Sequence, residues 1–225
     1  MRYRWFKAEF KGDGFEMLKR SCQEYSYNEI SGQGFRLEIA RDKFIKGKYI
    51  VRKEIEDNTI DPFGNETKYK RIIFETFKFK LSRDFPEITI IDSPRSIHPF
   101  LTKLSLLSDF SFFVSQLTLN INSWLNRLET TEGLDCIVKQ ISCSGISLSP
   151  SVAGKLSIAG SEDVRKYLLE MTGSKNFVID KARLIIQYLN EKHECQISRH
   201  GNINILSGND NNVLDVLSNS LSYQI

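Results

Sequence analysis

The sequence predicts an α+β protein, antiparallel and sheet-rich, made of repeated strand–turn–strand–helix units with helices packed on one sheet face. Three observations lead there. Short runs of β-branched and aromatic residues alternate with polar ones, as half-buried strands do. Clusters of Gly, Pro, Asn and Asp separate these runs at turn spacing. Stripes of apolar residues at helical spacing follow pairs of such strands, at 71–108, 137–172 and 182–223.

Arg4 to Phe10 reads as an opening strand, with Phe6, Ala8 and Phe10 on one side and Lys7 and Glu9 on the other. Gly12-Asp13-Gly14 ends it, and Phe15 to Arg20 begins a short helix. Strand character resumes at Phe35–Ala40, Phe44–Lys53 and Arg71–Leu81, so 35–81 is expected to form an antiparallel meander. Asp61-Pro62-Phe63-Gly64-Asn65 supplies its turn, because Pro restricts φ and Gly or Asn accepts positive φ. Glu87–Ile91 is a further strand, and Asp92-Ser93-Pro94 is expected to start a helix carrying Ile97, Phe100, Leu101 and Leu104 on its buried stripe. Leu117 to Ile121 alternates like a strand, while Ile121, Trp124, Leu125 and Leu128 fit a helical face. Ile137–Ile146 and Lys155–Ala159 are paired strands before a helix with Ser161 as its expected N-cap. Ala182–Leu189, Glu194–Ser198 and Asn202–Leu206 precede a last helix buried through Val213, Leu214, Leu217 and Leu221. Thr130-Thr131-Glu132-Gly133 reads as a linker. It divides a basic, sheet-rich part, 1–131, from a C-terminal part, 132–225, unless the two form one continuous domain.

An apolar content of 40% and a charged content of 26% in 225 residues allow a core without covalent staples. No run approaches the roughly 20 apolar residues of a membrane-spanning helix, so no membrane partner is expected and the expected location is cytoplasmic. Cys22, Cys136, Cys143 and Cys195 lie far apart with no CxxC pair, matching neither a disulfide scaffold nor a standard zinc site. They are expected to be buried free thiols, and Asn65-Glu66-Thr67 a turn instead of a glycosylation acceptor.

Net charge is only +3, yet it is unevenly distributed. Residues 1–85 hold 19 Lys/Arg against 14 Asp/Glu, and residues 86–225 hold 12 against 14. Within 44–52, strand alternation puts Lys46, Lys48 and Arg52 on one side, and within 69–81 it puts Lys70, Lys78 and Lys80 together. Were these strands adjacent, all six would line one solvent-facing surface able to follow a nucleic-acid backbone without reading bases. Lysine is also the ordinary residue of a solvated sheet and a guard of sheet edges. Tyr49 and Tyr69 do not fall clearly on this face, which leaves a base-stacking platform without support.

Enzyme motifs are incomplete. Gly12-Asp13-Gly14 lacks the third glycine of a dinucleotide fingerprint. Gly154-Lys155 continues into Leu156, where a P-loop has Ser or Thr. Asp61 with Glu66-Thr67-Lys68 has the residue types of a metal-dependent nuclease, but at turn-like spacing. His193 and Cys195 would share a strand face with His200 beyond, and surface histidines are the expectation. No catalytic residue, metal-ligand set, cofactor or small-molecule substrate is assigned. The function expected is that of a non-enzymatic binding protein contacting DNA or RNA within a larger assembly. The alternative is a protein-interaction subunit or homodimer, and an unrecognised enzyme is a more distant one.

Overall fold

In the computed structural model, hydrogen bonding links eleven strands into an antiparallel sheet, and the structure describes every residue except 93, 174–175, 209 and 222–225. In chain order the elements are β1 (Arg2–Phe10), α1 (Gly14–Glu24), β2 (Gln33–Ala40), β3 (Phe44–Ile60), β4 (Glu66–Ser82) and β5 (Ile88–Ile91). Next come α2 (His98–Leu107), β6 (Phe112–Gln116), α3 (Ile121–Thr130), β7 (Leu134–Ser149), β8 (Val152–Ala159) and α4 (Arg165–Thr172). The chain closes with β9 (Val178–Tyr188), β10 (Glu191–Ser198), β11 (Asn202–Ser207) and α5 (Asp210–Leu221). The strand order is β2-β3-β4-β5-β1-β11-β10-β9-β7-β8, with β6 paired to β1. Two compact units result, Ala8–Val114 and Met1–Lys7 with Ser115–Ile225. No helix among the described residues is long and apolar enough to cross a membrane.

The Ala8–Val114 unit contains the meander β2-β3-β4-β5. Its β3–β4 ladder is in register from Phe44↔Ser82 to Ile60↔Glu66. An uninterrupted register keeps residues of one parity on one face along both strands. The odd-numbered side is apolar near the start of β3: Ile45, Tyr49, Phe77, Phe79 and Leu81 are buried with Phe35 of β2 and Ile88 and Ile90 of β5. Phe100 of α2 covers this side, with ring centroids 5.8 Å from Phe77, 5.0 Å from Phe79 and 6.1 Å from Tyr49. The Tyr49 hydroxyl, whose pKa burial pushes up to about 12, donates to Gln33 Oε1 at 2.9 Å, so its one polar atom is satisfied within the apolar cluster. The helix starts later than its sequence suggests. Asp92 takes a left-handed φ of 46°, and α2 begins at His98 with Pro99 in its first turn, where a missing N–H costs nothing. Residue 93, part of the expected start signal, lies outside the described residues.

In the other unit, Arg2–Arg4 of β1 pair with Asn202–Asn204 of β11, and β10, β9, β7 and β8 follow. Trp124 of α3 is buried and its indole N–H donates to the Ser220 hydroxyl of α5 at 2.7 Å, joining the two helices through a satisfied polar contact. Leu117 and Leu119 are buried without forming a strand, and α3 starts where Asn120 accepts from the Ser123 N–H at 3.2 Å. Thr131 to Gly133 form the turn from α3 into β7. Asp163, and not Ser161, serves the start of α4: its carboxylate accepts from the Arg165 N–H at 3.0 Å and from the Val138 N–H at 3.0 Å. Burial opposes its ionisation, but the Arg165 guanidinium and these N–H donors prevail and hold its pKa below the ordinary value.

His193 departs from the surface position its sequence suggests: it is fully buried, because it alternates with Cys195 and Ile197 on the buried face of β10, opposite Glu194 and Gln196. All four cysteines are free; Cys22, Cys143 and Cys195 are buried and Cys136 is partly so. Burial pushes the Cys22 and Cys136 thiols up to about 12, which keeps them protonated and poorly nucleophilic at neutral pH.

Phe100 is the side chain that joins α2 to three sheet aromatics, so its removal tests this core directly. Phe100→Ala is expected to lower unfolding stability by about 3–5 kcal/mol, read as a shift of the urea midpoint with an unchanged slope.

Candidate functional site

The unbroken register decides where the six basic residues lie. Lys46 is opposite Lys80 and Lys48 opposite Lys78, while Arg52 faces Phe74 and Lys70 faces Glu56. Directly opposite residues of an antiparallel pair share a face, so all six lie on the even-numbered side, away from Phe100. They nevertheless form two groups. Lys46, Lys48, Lys78 and Lys80 cluster at the base of the ladder, whereas Lys70 is opposite a residue ten positions beyond Lys46, about 33 Å along the strand.

Charge pairing separates the groups as well. Lys70 meets Glu56 at 3.2 Å and Arg52 meets Glu54 at 2.8 Å. Among the described residues, Lys48 is the one lysine at the base with a carboxylate partner, Glu38 at 3.4 Å. Lys46 and Lys78 have no ion pair among the described residues, and Lys80 is directed over the Phe44 ring at 5.2 Å. The β2 pairing adds Arg36, directly opposite Lys48 and exposed. Arg36 thus extends the row Arg36–Lys48–Lys78 across three strands. Its own strand could have shown this, since Arg36 alternates with the buried Phe35 and the partly buried Leu37, but the pairing register with β3 could not be read from composition.

Five cations, Arg36, Lys46, Lys48, Lys78 and Lys80, therefore face one another with Glu38 as the acid among them. Like charges directly opposite in a ladder are destabilising. Edge protection does not account for them, because β3 and β4 are interior strands of the meander. Two glycines permit the local backbone. A Cβ on Gly47 would lie 2.6 Å from the Arg36 carbonyl oxygen and 2.9 Å from Leu37 Cα, at the bulge where the register shifts between Leu37 and Ile39. A Cβ on Gly34 would overlap the backbone of Ser26 and Tyr27, which bridges to Phe35 along the outer edge of β2.

Aromatic groups adjoin the cations. Phe74 has the same parity as the lysines and is 57% exposed. Tyr27 rests against it with ring centroids 6.5 Å apart and planes at 70°. A cleft of about 530 Å³ lies beside them, lined by Gln23, Ser26, Tyr27, Phe35, Arg36 and Leu37.

Asp61, one of the acids considered for metal-dependent chemistry, has a structural role. Asp61 Oδ1 accepts from the Phe63 and Asn65 N–H groups, both at 2.8 Å, and Oδ2 from the Asn65 side-chain amide at 2.8 Å. The Asn65 amide, the Asn65 N–H and the other turn N–H groups hold its carboxyl below the ordinary range, so Asp61 organises the hairpin turn. Among the described residues no group of three or more His, Cys, Asp or Glu could hold a metal ion. No protein-family model matches the chain, and no curated protein matches it.

Lys46→Glu converts the Lys46–Lys80 repulsion into an opposite-charge pair. Unfolding stability is expected to rise by about 0.2–1 kcal/mol, measured by urea denaturation; a fall would mean that Lys46 contributes to the fold itself.

Proposed function

We propose that this is a non-enzymatic binding protein that holds a nucleic-acid backbone on the even-numbered face of β2, β3 and β4. The observation carrying this reading is the row of mutually opposed cations, Arg36–Lys48–Lys78 with Lys46–Lys80, whose four lysines stand on the interior strands β3 and β4, with one carboxylate paired to them among the described residues. Such a cluster reduces stability in the free protein and favours a polyanion, whose phosphates release counterions when the cations replace them. The side chains are long and flexible and project from a rigid ladder, which suits contact with phosphates and provides no fixed donor pattern for reading base edges. Arg52 and Lys70 are neutralised by their own carboxylates and lie outside the proposed contact.

Fluorescence anisotropy with labelled DNA and RNA across a salt series tests the reading. Five phosphate contacts predict that log K falls with log salt at a slope of about −3.5 for a single strand. Changing Lys46, Lys48, Lys78 and Lys80 together to Glu should abolish binding while the circular dichroism spectrum is retained. Binding equal to wild type in that variant would sink the proposal.

A second reading, contact with another protein, is favoured by the outer part of the same hairpin. Beyond Val51 the described strands β3 and β4 pair only with each other, from Lys53↔Ile73 to the turn. Ile60, Phe63 and Ile72 are 66%, 89% and 52% exposed there, and a two-stranded ribbon by itself is marginally stable in water. A partner or second copy covering these residues would give a light-scattering mass above 26.0 kDa that returns to the monomer value in Phe63→Ser/Ile72→Ser. A wild-type mass of 26.0 kDa with no associated protein counts against this reading.

A further inference from the structure

The geometry points to single-stranded nucleic acid as the ligand of the basic face, with an unpaired base entering the cleft at Tyr27 and Arg36. This inference rests on the polyanion reading above and adds to it a site and a substrate class.

The cleft of about 530 Å³ falls within the range of small-ligand pockets, roughly 300–1,000 Å³. Its lining includes Tyr27, Arg36, Gln23 and Ser26, residue types that stack on or hydrogen-bond unpaired bases. Tyr27 is held in place from both sides. Its N–H donates to the Phe35 carbonyl at 3.0 Å, and its ring lies against Phe74. A ring positioned by backbone pairing loses little freedom on stacking, so the site is preformed.

Arg36 belongs to both the cleft and the cation row, being opposite Lys48, which is in turn opposite Lys78. A phosphate backbone lying along Lys48 and Lys78 would therefore bring its next sugar and base to the cleft mouth. Phe74 stands four residues from Lys78 on the same face, about 13 Å along β4, and offers a second exposed ring. A duplex keeps its bases stacked in its interior and cannot present one to a cleft lined by Tyr27 without paying to unpair it. Stacking on an aromatic is tolerant of sequence, because every base has a π-face. The expected ligand is a single strand bound with little base preference.

Three probes of equal length separate the contributions: an oligothymidylate of about 20 nucleotides, an abasic strand of the same phosphate count, and a duplex. Anisotropy at fixed salt is expected to show the oligothymidylate binding at least tenfold tighter than the abasic strand and the duplex. Tyr27→Ala should lose about tenfold on oligothymidylate and nothing on the abasic strand, Phe74→Leu should behave likewise, and Tyr27→Phe should retain wild-type affinity because it keeps the ring. Equal affinity for all three probes, with no effect of Tyr27→Ala, would overturn the single-strand inference and leave the basic-face reading standing. Failure of every probe to bind at low salt would overturn both.

Discussion

The register of one β-ladder underlies the whole arrangement. Along β3 and β4 every residue from Phe44 to Ile60 has its partner in unbroken sequence from Ser82 to Glu66. Strand side chains alternate with a period of two, so a single inserted residue would carry the lysines into the aromatic core and the aromatics into water. That error is prevented energetically. Phe77, Phe79 and Tyr49 are buried against Phe100, and each buried aromatic outweighs the few tenths of a kcal/mol at stake in any one lysine contact. The cations on the opposite face thus need no attractive partners to hold their positions.

That division of labour explains how a repulsive group can persist in a stable sheet. Arg36, Lys46, Lys48, Lys78 and Lys80 are all exposed or half-exposed, so water and salt screen them to within roughly 8–10 Å. Their mutual cost remains small beside the burial behind them. The β2 bulge adds a further device. It places Glu38 within reach of Lys48 and is accommodated by Gly47, whose missing side chain lets the Arg36–Leu37 backbone come close. Removing that freedom would displace Arg36 and Leu37 together, and with them one wall of the cleft.

Much of this was legible in the residues. The alternation of Lys46, Lys48, Lys78 and Lys80 against Tyr49, Phe77 and Phe79 assigned each to a face because period-two patterning needs no tertiary information. The partnership of those strands was open, as was the participation of Arg36, because register depends on turn geometry and on bulges that composition does not disclose. Aromatics were missed for a similar reason. Tyr27 reaches the site from a segment with no periodicity, brought there by the Ser26–Phe35 bridge and its own N–H bond to the Phe35 carbonyl beside Gly34, and Phe74 lies on an apolar stretch of β4. His193 was misplaced because the alternation that joins it to Cys195 and Ile197 does not itself say which face of β10 is covered. The helix starts at His98 and Arg165 were misread where several cap-forming residues stood in succession and only backbone geometry selects among them.

The two ends of the β3–β4 hairpin carry different electrostatic designs on the same pair of strands. From 53 to 60 and 66 to 73 there are four basic residues, Lys53, Lys68, Lys70 and Arg71, and four acidic ones, Glu54, Glu56, Asp57 and Glu66. Cross-strand pairs neutralise them, as with Lys70–Glu56 at 3.2 Å and Arg71–Asp57 at 2.6 Å. The base, 44–52 and 74–82 with β2, holds six cations, Arg36, Lys46, Lys48, Arg52, Lys78 and Lys80, against two acids, Glu38 and Glu75, and none of the cations stands directly opposite an acid in the ladders. A polyanion attracted to the base would meet carboxylates if it continued along the hairpin, and the separation of about 33 Å exceeds the screening length several-fold. On the proposed reading, the direction along the strands would be unfavourable to a bound polyanion, and the favourable path would run across them, through Lys78 and Lys48 to Arg36 and the cleft at Tyr27.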